Sequence, residues 1–261
     1  MGTAAAPGGL AFVGHATLLI ELDGARLLTD PLLRSGIGHV RRRVPLPEIE
    51  ELLPLDAVLV SHAHADHLDP MSLRRVTRDC PVIAPRGCAG VLRRSGVREV
   101  IELDEGDRVD AGGITVEAVP ALHDGRRYPV GPQIAALGFL LEASTRIYFA
   151  GDTDLFDGMA ALAGRVDLAA LPIWGWGPRI PAGHLNPETA AEAAALIRPA
   201  EVVPIHWGTL RSIGAQRDTD PMAPVHRFIE ATGRLAPQTA VRVLQPGERL
   251  SLPSRPARAA Q

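Results

Sequence analysis

Four side chains able to bind a metal crowd into six consecutive positions of this sequence, in the string Ser61-His62-Ala63-His64-Ala65-Asp66-His67. The string comes directly after residues 57–60, an apolar run too short for a helix and readable as a buried strand. Three neutral imidazoles and a carboxylate suit a borderline divalent ion, zinc first, with manganese or iron accepted by the same donors. On extended backbone His62 and His64 point to one side and can share an ion, while Asp66 and His67 point elsewhere and suit a second. A solvated His-rich loop is the alternative, but four such donors packed behind a buried strand ask for a strand end that opens onto a metal site.

The rest of the chain reads as an α/β or α+β layered protein. Strands are expected at residues 10–13, Thr17–Leu22, Ala25–Thr29, 82–84, 99–103, 136–142, 146–150, 168–173, Glu201–Ile205 and 240–244, and a hairpin over 108–119 turning at Gly112-Gly113. Helices are expected at 70–78, 87–95, 154–163 and 221–232, with a short one near 47–53 and a loop over 34–47. Pro187–Ile197 carries the clearest helix start: Asn186 as N-cap, Pro187 in the first turn and Glu188 at the positive end. With 261 residues, 46% of them hydrophobic, the chain can bury a large core as one domain, its ends (about 1–9 and 253–261) flexible. A net charge of −3, with every basic residue an arginine, gives no footing for a polyanion partner. Cys80 and Cys88 form neither a zinc knuckle nor a redox pair and read as idle thiols of a reducing compartment. With no signal-like N-terminus and no apolar run of about 18 residues, a cytoplasmic location without membrane insertion is expected.

The H-x-H-x-D-H string resembles the signature of the metallo-β-lactamase superfamily. Further ligands of that family have counterparts at strand ends downstream: His123 in Pro120-Ala121-Leu122-His123, Asp152 in Gly151-Asp152-Thr153, and His206 in Ile205-His206-Trp207-Gly208. The resemblance implies a four-layer αββα sandwich with a dinuclear cleft at one edge. It implies that His62, His64 and His123 hold one ion, that Asp66, His67 and His206 hold the second, and that Asp152 bridges them. Gly14-His15-Ala16-Thr17, Thr29-Asp30-Pro31 and Gly183-His184-Leu185-Asn186-Pro187-Glu188 resemble the branch containing ascorbate-6-phosphate lactonase and the phospholipase D acting on N-acyl-phosphatidylethanolamine. In that branch His184 contacts substrate and Asp30 orients a ligand histidine; His15 could do either or simply cap a strand.

Such a centre implies a hydrolase using a metal-bound hydroxide to cleave an ester, lactone or phosphodiester of a small substrate, which an anion would suit, with Asp66, Asp152 and His184 as catalytic residues. Arg41-Arg42-Arg43 and the loops 34–43 and 125–132 are candidates for substrate contact. Trp174, Trp176 and Trp207 are candidates for pocket wall; His39 and His226 read as surface residues. Rival readings are an iron-dependent oxidoreductase on the same fold, a nucleic-acid-processing enzyme and an idle binding module. Flavo-diiron relatives carry Glu where this chain has His64, the nuclease branch inserts a large extra domain, and idle descendants lose ligands. Monomer and homo-oligomer stay open.

Overall fold

The computed structural model describes residues 8–127, 132–177, 179–214 and 220–252. In its first half run β1 (Gly9–Gly14), β2 (Thr17–Leu22), β3 (Ala25–Thr29), β4 (Gly36–Ile37), β5 (Val40–Arg42), α1 (Ile49–Leu52), β6 (Ala57–Leu59), α2 (Pro70–Val76), β7 (Val82–Pro85), α3 (Ala89–Arg94) and β8 (Val100–Leu103). The second half contains β9 (Arg108–Ala111), β10 (Ile114–Asp124), β11 (Ala135–Glu142), β12 (Ile147–Phe149), a 3-10 turn (Asp157–Leu162), β13 (Leu168–Pro172), α4 (Pro187–Ile197), β14 (Glu201–Ile205), β15 (Leu210–Ser212), α5 (Ala223–Leu235), β16 (Ala240–Val241) and β17 (Arg249–Ser251).

Among the described residues these strands form two seven-stranded sheets, ordered β17-β1-β2-β3-β6-β7-β8 and β16-β14-β13-β12-β11-β10-β9, and a small sheet β15-β5-β4. In the first sheet β1, β2 and β3 form an antiparallel meander, and β3, β6, β7 and β8 run parallel. Parallel neighbours need crossovers, and the chain supplies them through α2 and α3. The two-residue period of a strand divides the apolar side chains between two cores. Leu18, Ile20, Leu27, Leu59 and Ile83 face the second sheet, in the same cluster as Val116 and Phe139. Leu19, Leu28, Val58, Val60 and Val82 face outward onto Leu52, Leu73, Val76 and Leu92 of α1–α3. On the far side of the second sheet, Ala190, Ala194 and Ile197 of α4 and Val225 and Phe228 of α5 close the core. The order helix, sheet, sheet, helix is the four-layer αββα sandwich. No helix among the described residues is long and apolar enough to cross a membrane.

The local reading differs from the structure where distant partners act. Residues 34–47, expected as loop, contribute β4 and β5, which pair with the far-off β15. The N-terminus is tied in from residue 8, because Leu252 donates to the Gly8 carbonyl and β1 starts at Gly9. The expected α-helix over 154–163 is a shorter 3-10 turn. The helix expected over 221–232 begins at Ala223 and runs on to Leu235, Gly233 notwithstanding. Residues 1–7, 128–131 and 253–261, on which parts of the expectations fell, lie outside the described residues.

Candidate metal centre

The groups named from the sequence gather at one edge of the sandwich, because strand after strand ends there. Asp30 follows β3, Ser61 and His62 follow β6, His123 sits near the end of β10, Asp152 follows β12, Trp174 follows β13 and His206 follows β14. β12, β13 and β14 are parallel, as are β3 and β6, so their C-terminal ends share this edge. After His62 the chain turns rather than running on extended: the His67 and Leu68 N–H groups both donate to the His64 carbonyl. That turn puts Asp66 and His67 on a different heading from His62 and His64. Three site residues, His15, Asp30 and His206, hold left-handed backbone with φ of 57°, 33° and 63°. Such strain in non-glycine residues clusters where a fold must aim a side chain.

Four overlapping groups of donor atoms emerge among the described residues, each drawn together within 4.8 Å: His62, His64 and His123; Asp66, His67 and His206 joined by His15; Asp30, His62 and His67; and His123, Asp152 and His184. The His123 and His64 ring nitrogens Nε2 and Nδ1 are 3.1 Å apart, and the Nε2 atoms of His67 and His206 are 3.3 Å apart. Asp152 lies between the first two groups. Its Oδ2 is 3.2 Å from His67 Nε2 and 3.3 Å from His184 Nε2, and its Oδ1 is 3.3 Å from His206 Nε2.

A ring of partners fixes which nitrogen each imidazole offers. His123 Nδ1 is 2.7 Å from the Gly183 carbonyl, His206 Nδ1 is 2.8 Å from the Trp174 carbonyl, and His67 Nδ1 is 2.7 Å from Asp30 Oδ2. These oxygens can only accept, so each Nδ1 carries a proton, which leaves the Nε2 of His123 and His206 with its lone pair for the cleft. At His67 burial opposes charge, but Asp152, Asp66 and Asp30 prevail and raise it well above its ordinary range, so its Nε2 must give up a proton to take a metal. Asp30 is held in turn by the Ser61 N–H at 2.7 Å and the Ser61 hydroxyl at 2.6 Å. With its hydroxyl proton donated to Asp30, Ser61 Oγ accepts from His62 Nδ1 at 3.0 Å. His15 stands in the turn between β1 and β2. It is buried, and its Nε2 donates to Asp66 Oδ2 at 3.1 Å, where Trp176 Nε1 also donates at 3.0 Å.

The donor set fits divalent cations. His62 Nε2 is buried with no hydrogen-bond partner among the described residues, and Asp152 Oδ1 meets His206 outside hydrogen-bonding geometry. Polar atoms left so in a core are costly unless something else satisfies them. Burial pushes His206 down to about 3 and His123 to about 4, against the pull of Asp152. Burial, with the neighbouring His67, also holds His62 well below its ordinary range. Neutral imidazole is the ligating form. Burial opposes ionisation of Asp66 and Asp152, but imidazoles outweigh it: His67 and His15 at Asp66, and His206, His67 and His184 at Asp152. Both carboxyls stay well below the usual range, and their ion-pair partners among the described residues are histidines alone.

A cleft of about 220 Å³ opens on this centre, lined by His64, Asp66, Asp152, His184 and His206 and by the segment Trp174-Gly175-Trp176-Gly177. Trp207 does not line this cleft; it stacks on Phe12 and donates to the Pro204 carbonyl. Two of the three consecutive arginines serve the backbone. Arg41 donates to the Gly38 and Val40 carbonyls, and Arg42 donates to those of Leu32, Val13 and Pro45. His39 is exposed, its ring edge-on to Trp176, and His226 is exposed on α5. Cys80 and Cys88 are buried free thiols, pushed up by burial to about 11 and about 12. Sequence reasoning passed over Ser61 and Thr209, whose hydroxyl accepts the His15 N–H at 2.7 Å. For Ser61 a signal was present, since it directly precedes the first ligand.

The β-lactamase superfamily domain family matches residues 25–207. A metal-dependent hydrolase of Caldivirga maquilingensis is 33% identical over 252 residues, 94% of this chain and 99% of its own. The N-acyl-phosphatidylethanolamine-hydrolyzing phospholipase D 1 of Caenorhabditis elegans is 33% identical over 254 residues, 86% of this chain. The chain spans 67% of that nematode protein's length and 59% of the length of a Mycobacterium tuberculosis relative of equal identity. In fold, the chain matches a metallo hydrolase of Ignicoccus hospitalis with a TM-score of 0.72 at 24% identity, covering 95% and 99% of the two chains. This chain belongs to the metallo-β-lactamase superfamily.

Proposed function

We propose that the protein is a dinuclear hydrolase of an ester-type bond in a small substrate: a carboxylic ester, a lactone or a phosphodiester. The observation that carries this is the convergence of six donor side chains in two groups with Asp152 between them, at a cleft lined by His64, Asp66, Asp152 and His206. His62 Nε2, His64 Nδ1 and His123 Nε2 would hold one ion, and Asp66, His67 Nε2 and His206 Nε2 the other, with Asp152 shared. Zinc suits these donors first, manganese or iron next. When bound, such ions polarise the scissile group and make a water nucleophilic at neutral pH.

The chain's own residues do the rest. Asp66 has both donors on Oδ2, from His15 and Trp176. His184 is partly exposed at the cleft. Burial presses its pKa down, but the bond to Asp152 Oδ2 prevails and raises it. His184 Nε2–H thus serves as donor to the oxygen on which charge develops and to the leaving group. One of the two carboxylates, Asp152 or Asp66, receives the proton that the attacking water gives up and passes it on to the leaving group. Trp174 and Trp176 keep bulk water from one side of the cleft. Among the bond types, the name of the nematode relative supports the phosphodiester.

The test is metal content and turnover together. The purified protein should carry two ions per chain and hydrolyse a chromogenic phosphodiester or a simple lactone. His206→Ala and Asp152→Ala should lose metal and nearly all turnover. Full activity in both variants, or oxygen uptake by an iron-loaded protein that hydrolyses neither reporter, would overturn the proposal.

A further inference from the structure

A second cavity, of about 540 Å³, adjoins the cleft and shares with it the wall Trp174-Gly175-Trp176-Gly177. Its volume is of the order that takes a drug-sized molecule. Apolar groups of Trp174, Trp176, Leu210, Pro221, Ala223 and Pro224 line it, and three arginines stand around it. Arg227 is committed, its guanidinium held by both Glu188 oxygens at 3.0 and 2.7 Å. For Arg43 and Arg211 no hydrogen bond or ion pair of the guanidinium is found among the described residues. Among the described residues the one carboxylate in the lining, Asp220, accepts the Met222 N–H at 2.9 Å.

The small sheet explains why Arg43 and Arg211 act together. β5 and β15 pair with Arg42 opposite Leu210 and Arg41 opposite Arg211, and the ladder continues with the Arg43 N–H donating to the Thr209 carbonyl. Arg43 opposes Thr209, and Arg211 is two residues further along the same strand, so both side chains stand on one face as diagonal neighbours. Such diagonal neighbours lie about 7–8 Å apart, within the span of two long side chains closing on one anion. Two like charges so placed repel, and an anion between them relieves this. Arg41 and Arg42, on the same strand, are spent on carbonyls, so the anion site is specific to this pair.

We propose that this cavity is a binding site for an apolar acyl or aryl group that ends in a carboxylate, the carboxylate held by Arg43 and Arg211. It rests on the hydrolase reading only in taking the scissile bond to lie on the Asp152 side of the tryptophan wall. The substrate is then an apolar acid whose charged end lies away from the bond cleaved.

Binding can be read without turnover, from the fluorescence of Trp174 and Trp176, using octanoate and octan-1-ol as probes on the metal-loaded protein. Octanoate should bind about tenfold or more tightly than octanol. An Arg43→Gln/Arg211→Gln double variant with unchanged metal content should bring the two probes to within about twofold, octanol affinity staying put. Ala223→Trp, at an exposed position in the lining, should weaken both probes by filling the cavity. Equal binding of the two probes by the wild-type protein overturns the proposal. So does a preference for octanoate that survives in the double variant and vanishes on metal removal, since the carboxylate then sits on the ions. Probe binding as described in a protein that hydrolyses no ester-type reporter would leave this site standing and remove the hydrolase reading.

Discussion

At the scale of single residues, Asp30 shows how much of the centre depends on groups that would touch no metal. It is fully buried, strained in its backbone, and accepts from Ser61 twice and from His67 Nδ1. Asp30→Asn sets an amide where one oxygen must receive both a hydroxyl and a ring proton. Metal affinity, measured by competition with a chelator, should fall about 10–100-fold, the usual effect of removing such a partner. Unchanged affinity would show that His67 orients itself. Gly151 is the backbone counterpart. Its φ is 60°, and a Cβ there would lie 2.5 Å from Ser61 Cβ. Gly151→Ala therefore forces apart the strand ends that carry Asp152 and Ser61. Urea unfolding should show a loss of about 1–3 kcal/mol, as for overpacked cores, together with reduced metal content.

At the scale of elements, α4 is the clearest case of a local signal with a local cause. The Asn186 side chain accepts from the N–H groups of Glu188 and Thr189, and the Thr189 hydroxyl accepts from the Asn186 N–H. Asn186→Ala should cost about 1 kcal/mol in thermal or denaturant unfolding. Because His184 precedes this cap by two residues, turnover should fall more than stability alone explains; a stability loss without that excess would separate the helix start from the site. β4 and β5 are the opposite case. Their residues carry no strong strand pattern, and they are strands because β15 offers an edge to pair with.

At the scale of the molecule, the centre takes side chains from both sheets, so bound metal ties the two halves together. Anything that binds the folded chain alone stabilises it, by about 2.7 kcal/mol at a free concentration a hundred times the dissociation constant. The melting temperature should rise with added zinc in the wild-type protein and stay flat in His62→Ala/His206→Ala; equal responses would place the zinc elsewhere. On the second sheet, Glu117 of β10 receives Arg108 and Arg165. Burial would raise its carboxyl, but the two guanidiniums prevail and hold it below its ordinary 4.5. A folded pKa below the unfolded one adds stability that is complete above 4.5 and is lost as pH falls through the folded value. The stability gap between wild type and Glu117→Gln should therefore narrow on acidification, as followed by urea unfolding across pH; a constant gap would mean that the pairs do not depend on the charge of Glu117.

Features with a local cause were legible in the order of residues alone. A strand of two-residue period, four donors in six positions behind it and an asparagine ahead of a proline carry their meaning within a few residues, because donor chemistry and capping are short-range. The downstream candidates His123, Asp152 and His206 were legible only through the resemblance, since a lone histidine at a strand end carries no address. Folding in three dimensions settled what distance along the chain conceals. It turned His15 inward onto Asp66, set Ser61 beneath Asp30 and sent Trp207 into the core. It also spent Arg41 and Arg42 on backbone carbonyls while leaving Arg43 beside Arg211. Each of these depends on which strand end arrives next to which, and that is set by the packing of two sheets.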